Sequence, residues 1–157
     1  DRDTFMAFWE DEIATRCNAI SHFVEFENSE AMDTFKAVNM PEVAMIMFKP
    51  EFRTTDLRSD NVQRRIKFGF FLVKRAANHE DQAEIKQLKN TCIAIVEDII
   101  ARLGKLNEES EFFGKYHADA TDYDEVEGIF DNHYGCQCFG EIISKTSIKY
   151  DATKWTL

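Results

Sequence analysis

The stretch Asp81–Leu103, DQAEIKQLKNTCIAIVEDIIARL, decides how the rest of the chain must fold. Ile85, Leu88, Cys92, Ile95 or Val96, Ile99 and Leu103 recur at threes and fours, the repeat of a helix with one buried stripe. Glu84, Lys86, Gln87, Lys89, Asn90, Glu97, Asp98 and Arg102 fall on the other side and are expected in water. At about 23 residues and 1.5 Å per residue, such a helix is roughly 35 Å long. Asn78 or Asp81 can accept from the free N–H groups at its start, and Gly104 is placed to lead the chain out in a left-handed conformation. Ile93 and Ile100 widen the apolar side beyond a narrow seam, so a sheet or a second helix must cover it.

Before this helix, Phe5, Phe8, Trp9, Ile13, Cys17 and Ile20 repeat with helical period, and Asp3 or Thr4 is placed to cap a first helix over Thr4 to about Ile20. The next seven residues, Ser21 to Glu27, fit a short extended piece or more helix. Glu30 to Val38 fits a short helix with Met32, Phe35 and Val38 on one side. Val43 to Phe48, between Pro41 and Pro50, is an apolar run of strand length. Glu51 to Val62 is polar and aperiodic, and reads as an arm of about 12 residues. Arg64 to Arg75 alternates, with Ile66, Phe68, Phe70 and Leu72 on one face and Lys67, Gly69, Phe71 and Val73 on the other.

Beyond the central helix, residues 105–128 hold eight carboxylates against Lys105 and Lys115 and read as an acidic loop. A long last strand over Cys138 to Tyr150 and a tail over 151–157 complete the chain. The expected fold class is α+β: a small antiparallel sheet packed against one long helix, with an N-terminal helix, in a single domain over 1–157.

A length of 157 residues, 44% apolar residues and 14 phenylalanines support a real core and exclude bulk disorder. The net charge of −10 argues against a general grip on nucleic acid, which needs clustered Lys and Arg; the basic ends of the strand, Arg64, Arg65 and Lys67 and then Lys74 and Arg75, read as strand ends in water. Four cysteines without an apolar leader suggest reduced thiols in a cytoplasmic setting, and no apolar run reaches the roughly 20 residues a membrane span requires.

Catalytic patterns are absent. His22, His79, His117 and His133 lie in four separate segments, and neither a Gly-x-Ser-x-Gly elbow nor a glycine-rich phosphate cradle occurs. His133, Cys136 and Cys138 carry soft ligand types, with His117, Cys17 or Cys92 as a fourth. Their spacing matches no zinc knuckle, and packed thiols are the expectation. Asp119, Asp122 and Asp124 begin like a calcium loop, but Val126 and Glu127 stand where an oxygen ligand and a glycine are needed. The chain is therefore expected to be no enzyme, with no cofactor and no metal.

Met40-Pro41-Glu42-Val43 leading one strand, Arg64-Arg65-Ile66-Lys67-Phe68 opening the next, the helix Ile85 to Leu103, and Phe139-Gly140-Glu141-Ile142 in the last strand occur in an order that resembles the tail terminator and tail-completion (head–tail joining) proteins of tailed bacteriophages and related contractile particles. The resemblance is one of layout over most of the chain. It implies a non-catalytic subunit forming a ring, often a hexamer, that meets tail tube or connector proteins in a virion assembled in the bacterial cytoplasm, with DNA only as passing cargo. An acidic lumen would repel the phosphates in transit. Phe52, Leu57, Tyr150 and Trp155, on the polar arm and the C-terminal end, are the expected partner contacts. The rival readings are a small acidic intracellular adaptor or regulator, and a metal-dependent enzyme using Asp119 to Glu127 or His133, Cys136 and Cys138.

Overall fold

The computed structural model describes residues 1–30, 32–33, 42–56, 62–130, 132–148 and 152–154. Helix α1, Arg2–Phe8, is capped by Asp1 and not by Asp3 or Thr4: the Asp1 carboxylate accepts from the Thr4 N–H at 2.8 Å. It runs into wider π-helical turns over Trp9–Ala14 and stops well short of Ile20. Phe5, Met6, Trp9, Ile13 and Ala14 are all buried.

The long helix, α2, spans Gln82–Leu106. The Asp81 side chain accepts from the N–H groups of Ala83 and Glu84, while Glu84 reaches back to the N–H groups of Ala77 and Asn78, so donors on both sides of the helix start are satisfied. Gly104 does not end this helix; no glycine in the described residues has a positive φ. The stripe needs one more apolar position, Leu106, which is 4% exposed. Asn107 then leaves the helix and acts as a short piece of strand, donating from Nδ2 to the Tyr116 carbonyl at 2.9 Å and accepting from the Tyr116 N–H at 2.7 Å.

The sheet has seven strands: β1 His22–Glu25, β2 Ala44–Met47, β3 Glu51–Asp56, β4 Val62–Arg75, β5 Gly114–Tyr116, β6 Asp122–Ile129 and β7 His133–Ser147. β4 and β7 pair antiparallel along nearly their whole length and form its centre. On the free side of β4 lie β2, with β1 beyond it in parallel, and β3; on the free side of β7 lie β5 and β6. The class is α+β as expected, but the sheet is larger and mixed.

Three sequence readings are corrected by this pairing. The arm over 51–62 is a strand through Asp56, because β4 extends far enough to template it from Val62 to Lys67. The acidic loop over 105–128 contains the end of α2, β5, a 3-10 turn at Ala118–Ala120 and most of β6. β7 begins at His133, five residues earlier than expected, and ends at Ser147. The expected short helix over 30–38 falls largely outside the described residues. Within it, Met32 is buried against Val24, Ala44, Ile46 and Val73.

α1 and α2 cover one sheet face. Trp9 lies between them and the sheet, fully buried, its ring centroid 4.7 Å from that of Phe68 and 5.4 Å from that of Phe70. Ile66, Phe68, Phe70 and Leu72 of β4 and Cys136, Cys138 and Ile142 of β7 meet the α2 stripe there. The register places Phe68 opposite Gly140 and Gly69 opposite Phe139. A Cβ on Gly140 would lie 2.4 Å from the Phe68 ring, and one on Gly69 2.5 Å from the Phe139 ring. Each ring thus lies across the glycine of the facing strand, one on each side of the sheet.

Candidate functional site

On the sheet face away from α1 and α2, five phenylalanines from five segments form one continuous strip. Phe26 follows β1, Phe48 follows β2, Phe71 and Phe139 belong to β4 and β7, and Phe130 sits in the β6–β7 turn. Ring centroids are 5.1 Å apart for Phe26 and Phe48, 4.9 Å for Phe48 and Phe71, and 6.0 Å for both Phe71 with Phe130 and Phe48 with Phe139. Alternation along the strands places them here: the odd-numbered positions of β4 and β7 point away from the helices. Phe26 is 42% exposed and Phe139 45%, while the remainder of this face, around Ala44, Ile46 and Val73, is covered. Large apolar groups gathered on one exposed face mark a contact surface more often than scattered ones do.

The turn that carries Phe130 is strained. Phe130 has φ 45° and Asn132 φ 64°, a conformation that a bulky side chain rarely adopts. The Phe130 carbonyl accepts from His133 Nδ1–H, and the Phe130 ring packs on Phe26 and Phe71, so the strip itself supports the turn.

Below Phe139 the strip gives way to a charged groove of 530 Å³ between Phe48, Lys49, Lys67, Asp122 and Glu141. Glu141 is only 9% exposed and lies opposite Lys67, with its Oε1 2.7 Å from Arg65 Nε. The carboxylate at the floor is therefore held by guanidinium, not free to act on a ligand.

Of the residues expected to meet partners, Phe52 is 42% exposed and lies under the Arg64 guanidinium, 5.4 Å from its ring centroid, at the edge of a 360 Å³ groove with Phe5, Phe8, Phe113 and Ile148. Leu57, Tyr150 and Trp155 lie outside the described residues. His133, Cys136 and Cys138 are buried, and among the described residues no three His, Cys, Asp or Glu side chains lie close enough together to hold a metal ion. Lys89, expected in water, is 9% exposed and lies between Glu127, at 2.5 Å, and Glu125, at 3.7 Å, of β6.

Burial governs the cysteines. The Cys138 thiol is pushed up to about 12, first by burial and then by the Asp122 carboxylate. Cys136 is raised as well, by the Cys92 sulfur beside it and by burial. Between pH values of about 9 and 12 an unfolded chain loses the Cys138 proton while the folded chain keeps it, so stability is intact below that window and falls with rising pH inside it. Lys89, raised by its hydrogen bond to Glu127, acts in the same direction, since its contribution is lost once pH climbs past the ordinary lysine value of 10.5. Thermal melts are expected to show a falling Tm from pH 9 upward. Cys138→Ala should flatten that slope by up to about 1.4 kcal/mol for each pH unit, and an unchanged slope would mean that Cys138 is not held protonated by the fold.

No family model matches the chain, and no curated protein or solved structure does either. Among the described residues, no helix is long and apolar enough to cross a membrane.

Proposed function

We propose that the chain is a structural assembly subunit of a phage or phage-like particle, associating with copies of itself into a ring at the tail end or head–tail junction and there meeting tail tube or connector proteins. The observation that carries this reading is the phenylalanine strip on the sheet face away from the helices, with Phe26 and Phe139 more than 40% exposed. A side chain as large as Phe gains most by losing water at an interface, and aromatic anchors dominate the energy of such contacts. The net charge of −10 suits a wall past which DNA slides without sticking.

Light scattering and negative-stain imaging of the purified chain, alone and with tail tube protein, test the reading. Rings are expected, and the Phe26→Asp/Phe139→Asp double variant should weaken association by roughly 30-fold or more, the loss typical of removing a hot-spot residue. Both rings are exposed enough that the fold should survive, which circular dichroism checks. A monodisperse wild-type monomer that never forms rings, even with tail tube protein present, would overturn the proposal.

A further inference from the structure

On the helix side, one end of the sheet reaches beyond the core. β4 begins at Val62 and β7 ends at Ser147, whereas Trp9 sits farther in, over Phe68 and Phe70. The overhanging end is the floor of the 360 Å³ groove that has Phe52 at its edge. Strand register shapes that floor. Phe52 lies opposite Ile66, and one row farther out on the same face Thr54 lies opposite Arg64 and Ser144 opposite Gly114. The inner row is bulky and the outer row is low, since Gly114 has no side chain and Ser144 a short one. Phe5 and Phe8 of α1 stand over it with Phe113, in edge contact at 6.1 and 5.2 Å between centroids. Phe113 donates its carbonyl to the Lys145 N–H and so lies in line with β5, on the far side of β4 and β7 from Phe52. Four strands at about 4.8 Å spacing put the two phenylalanines roughly 14 Å apart.

The polar groups of the groove are few. The Asp1 carboxylate is engaged by the N–H and hydroxyl of Thr4, at 2.8 and 2.9 Å. The Arg64 guanidinium is exposed and lies over the Phe52 ring, which holds its plane while its edge donors stay available. The Ser144 hydroxyl accepts from the Thr146 N–H and keeps a hydrogen to donate. A concave site of a few hundred cubic ångströms, walled by rings and holding a small number of convergent polar groups, is the form that small-molecule sites take. Charge complementarity chooses the ligand's head: a guanidinium fork matches a carboxylate through two parallel hydrogen bonds. The walls choose its body, because edge-to-face and offset ring contacts add to what the burial of area alone supplies.

We propose that this groove binds a small aromatic carboxylate, its ring between Phe52 and Phe113 and its carboxylate on Arg64. The site lies on the sheet face opposite the phenylalanine strip and does not depend on assembly. Calorimetric titration of the intact chain with 2-naphthoate tests it, with an expected Kd of about 1 mM or tighter for a ligand of this size. 2-Naphthalenemethanol, which keeps the rings and lacks the charge, and octanoate, which keeps the charge and lacks the rings, should each bind about tenfold more weakly. Arg64→Gln should erase the preference for 2-naphthoate over the alcohol, and Phe52→Ala should weaken both alike. Both side chains are exposed, so circular dichroism should show the wild-type fold in each variant. Phe26→Asp/Phe139→Asp should leave the affinity for 2-naphthoate unchanged, which separates this site from the strip. No saturation by about 10 mM, an alcohol or octanoate that binds as well as 2-naphthoate, a preference that survives Arg64→Gln, or an affinity lost with Phe26 and Phe139 would each overturn the proposal.

Discussion

Gly135→Ala is expected to lower the urea midpoint further than any other glycine exchange in the sheet. The added Cβ would stand 1.9 Å from the Leu72 carbonyl oxygen and 3.0 Å from Cys92 Sγ. The first of these is backbone in the central strand β4, hydrogen-bonded on both sides, and it cannot rotate away as a side chain would. Overpacking a core costs about 1–3 kcal/mol where side chains can give; here the whole β4–β7 approach must open, and the loss should exceed about 3 kcal/mol out of a typical total of 5–15. Gly104→Ala is the contrasting case. Nothing lies within 4 Å of its added Cβ, and its place inside α2 means that the exchange should stabilise by about 0.5–1 kcal/mol. Urea titrations followed by circular dichroism compare the two, and a Gly135→Ala midpoint close to wild type would mean that the strands do not approach as described.

Trp9→Ala should cost about 3–5 kcal/mol, the usual range for removing a large buried ring. Its indole sits where α1 turns π-helical, against Phe68 and Phe70 and in edge contact with Phe5 and Phe8. Its Nε1–H is buried without an acceptor among the described residues. That donor carries a desolvation cost of about 1–3 kcal/mol, so Trp9→Phe removes a penalty together with ring area and should lose far less than Trp9→Ala. Denaturant midpoints for the pair check this; equal losses would show that the indole N–H is satisfied.

The elements that could be read from the sequence are those whose own side chains decide their state. The α2 stripe and the alternation of β4 needed no neighbour to be recognised. β3 is different: Glu51, Arg53, Thr54 and Thr55 have no apolar period, and the segment is a strand because β4 offers it a ladder. β6 looked like a solvated acidic loop for the same reason, since its outward carboxylates hide a pairing that only β7 supplies. Nothing local to Lys89 marks it as buried and paired, because its partners, Glu125 and Glu127, are distant in sequence. Asp1 caps the first helix in place of Asp3 or Thr4, a shift of two or three residues. The phenylalanine strip was invisible as a unit: its rings come from five segments with no shared spacing. The available signals were the 14 phenylalanines and the placement of Phe71 and Phe139 on the strand faces opposite the core. Phe52 was visible because exposure of an aromatic in a polar segment is a local property.

The interlocked pairs Phe68–Gly140 and Gly69–Phe139 also bear on how the chain reaches its fold. A slip of one residue between β4 and β7 sets Phe68 against Phe139 in one direction, crowding two rings, and Gly69 against Gly140 in the other, leaving a gap, so either misaligned pairing is penalised at the moment it forms. Because β4 must wait for partners from 58 residues further along (Arg75 with His133) to 84 (Gln63 with Ser147), contact order is high and the unpaired Phe68-Gly69-Phe70-Phe71 run stays adhesive until β7 has been made. The glycines act, in effect, as a proofreading step on the slowest event in folding.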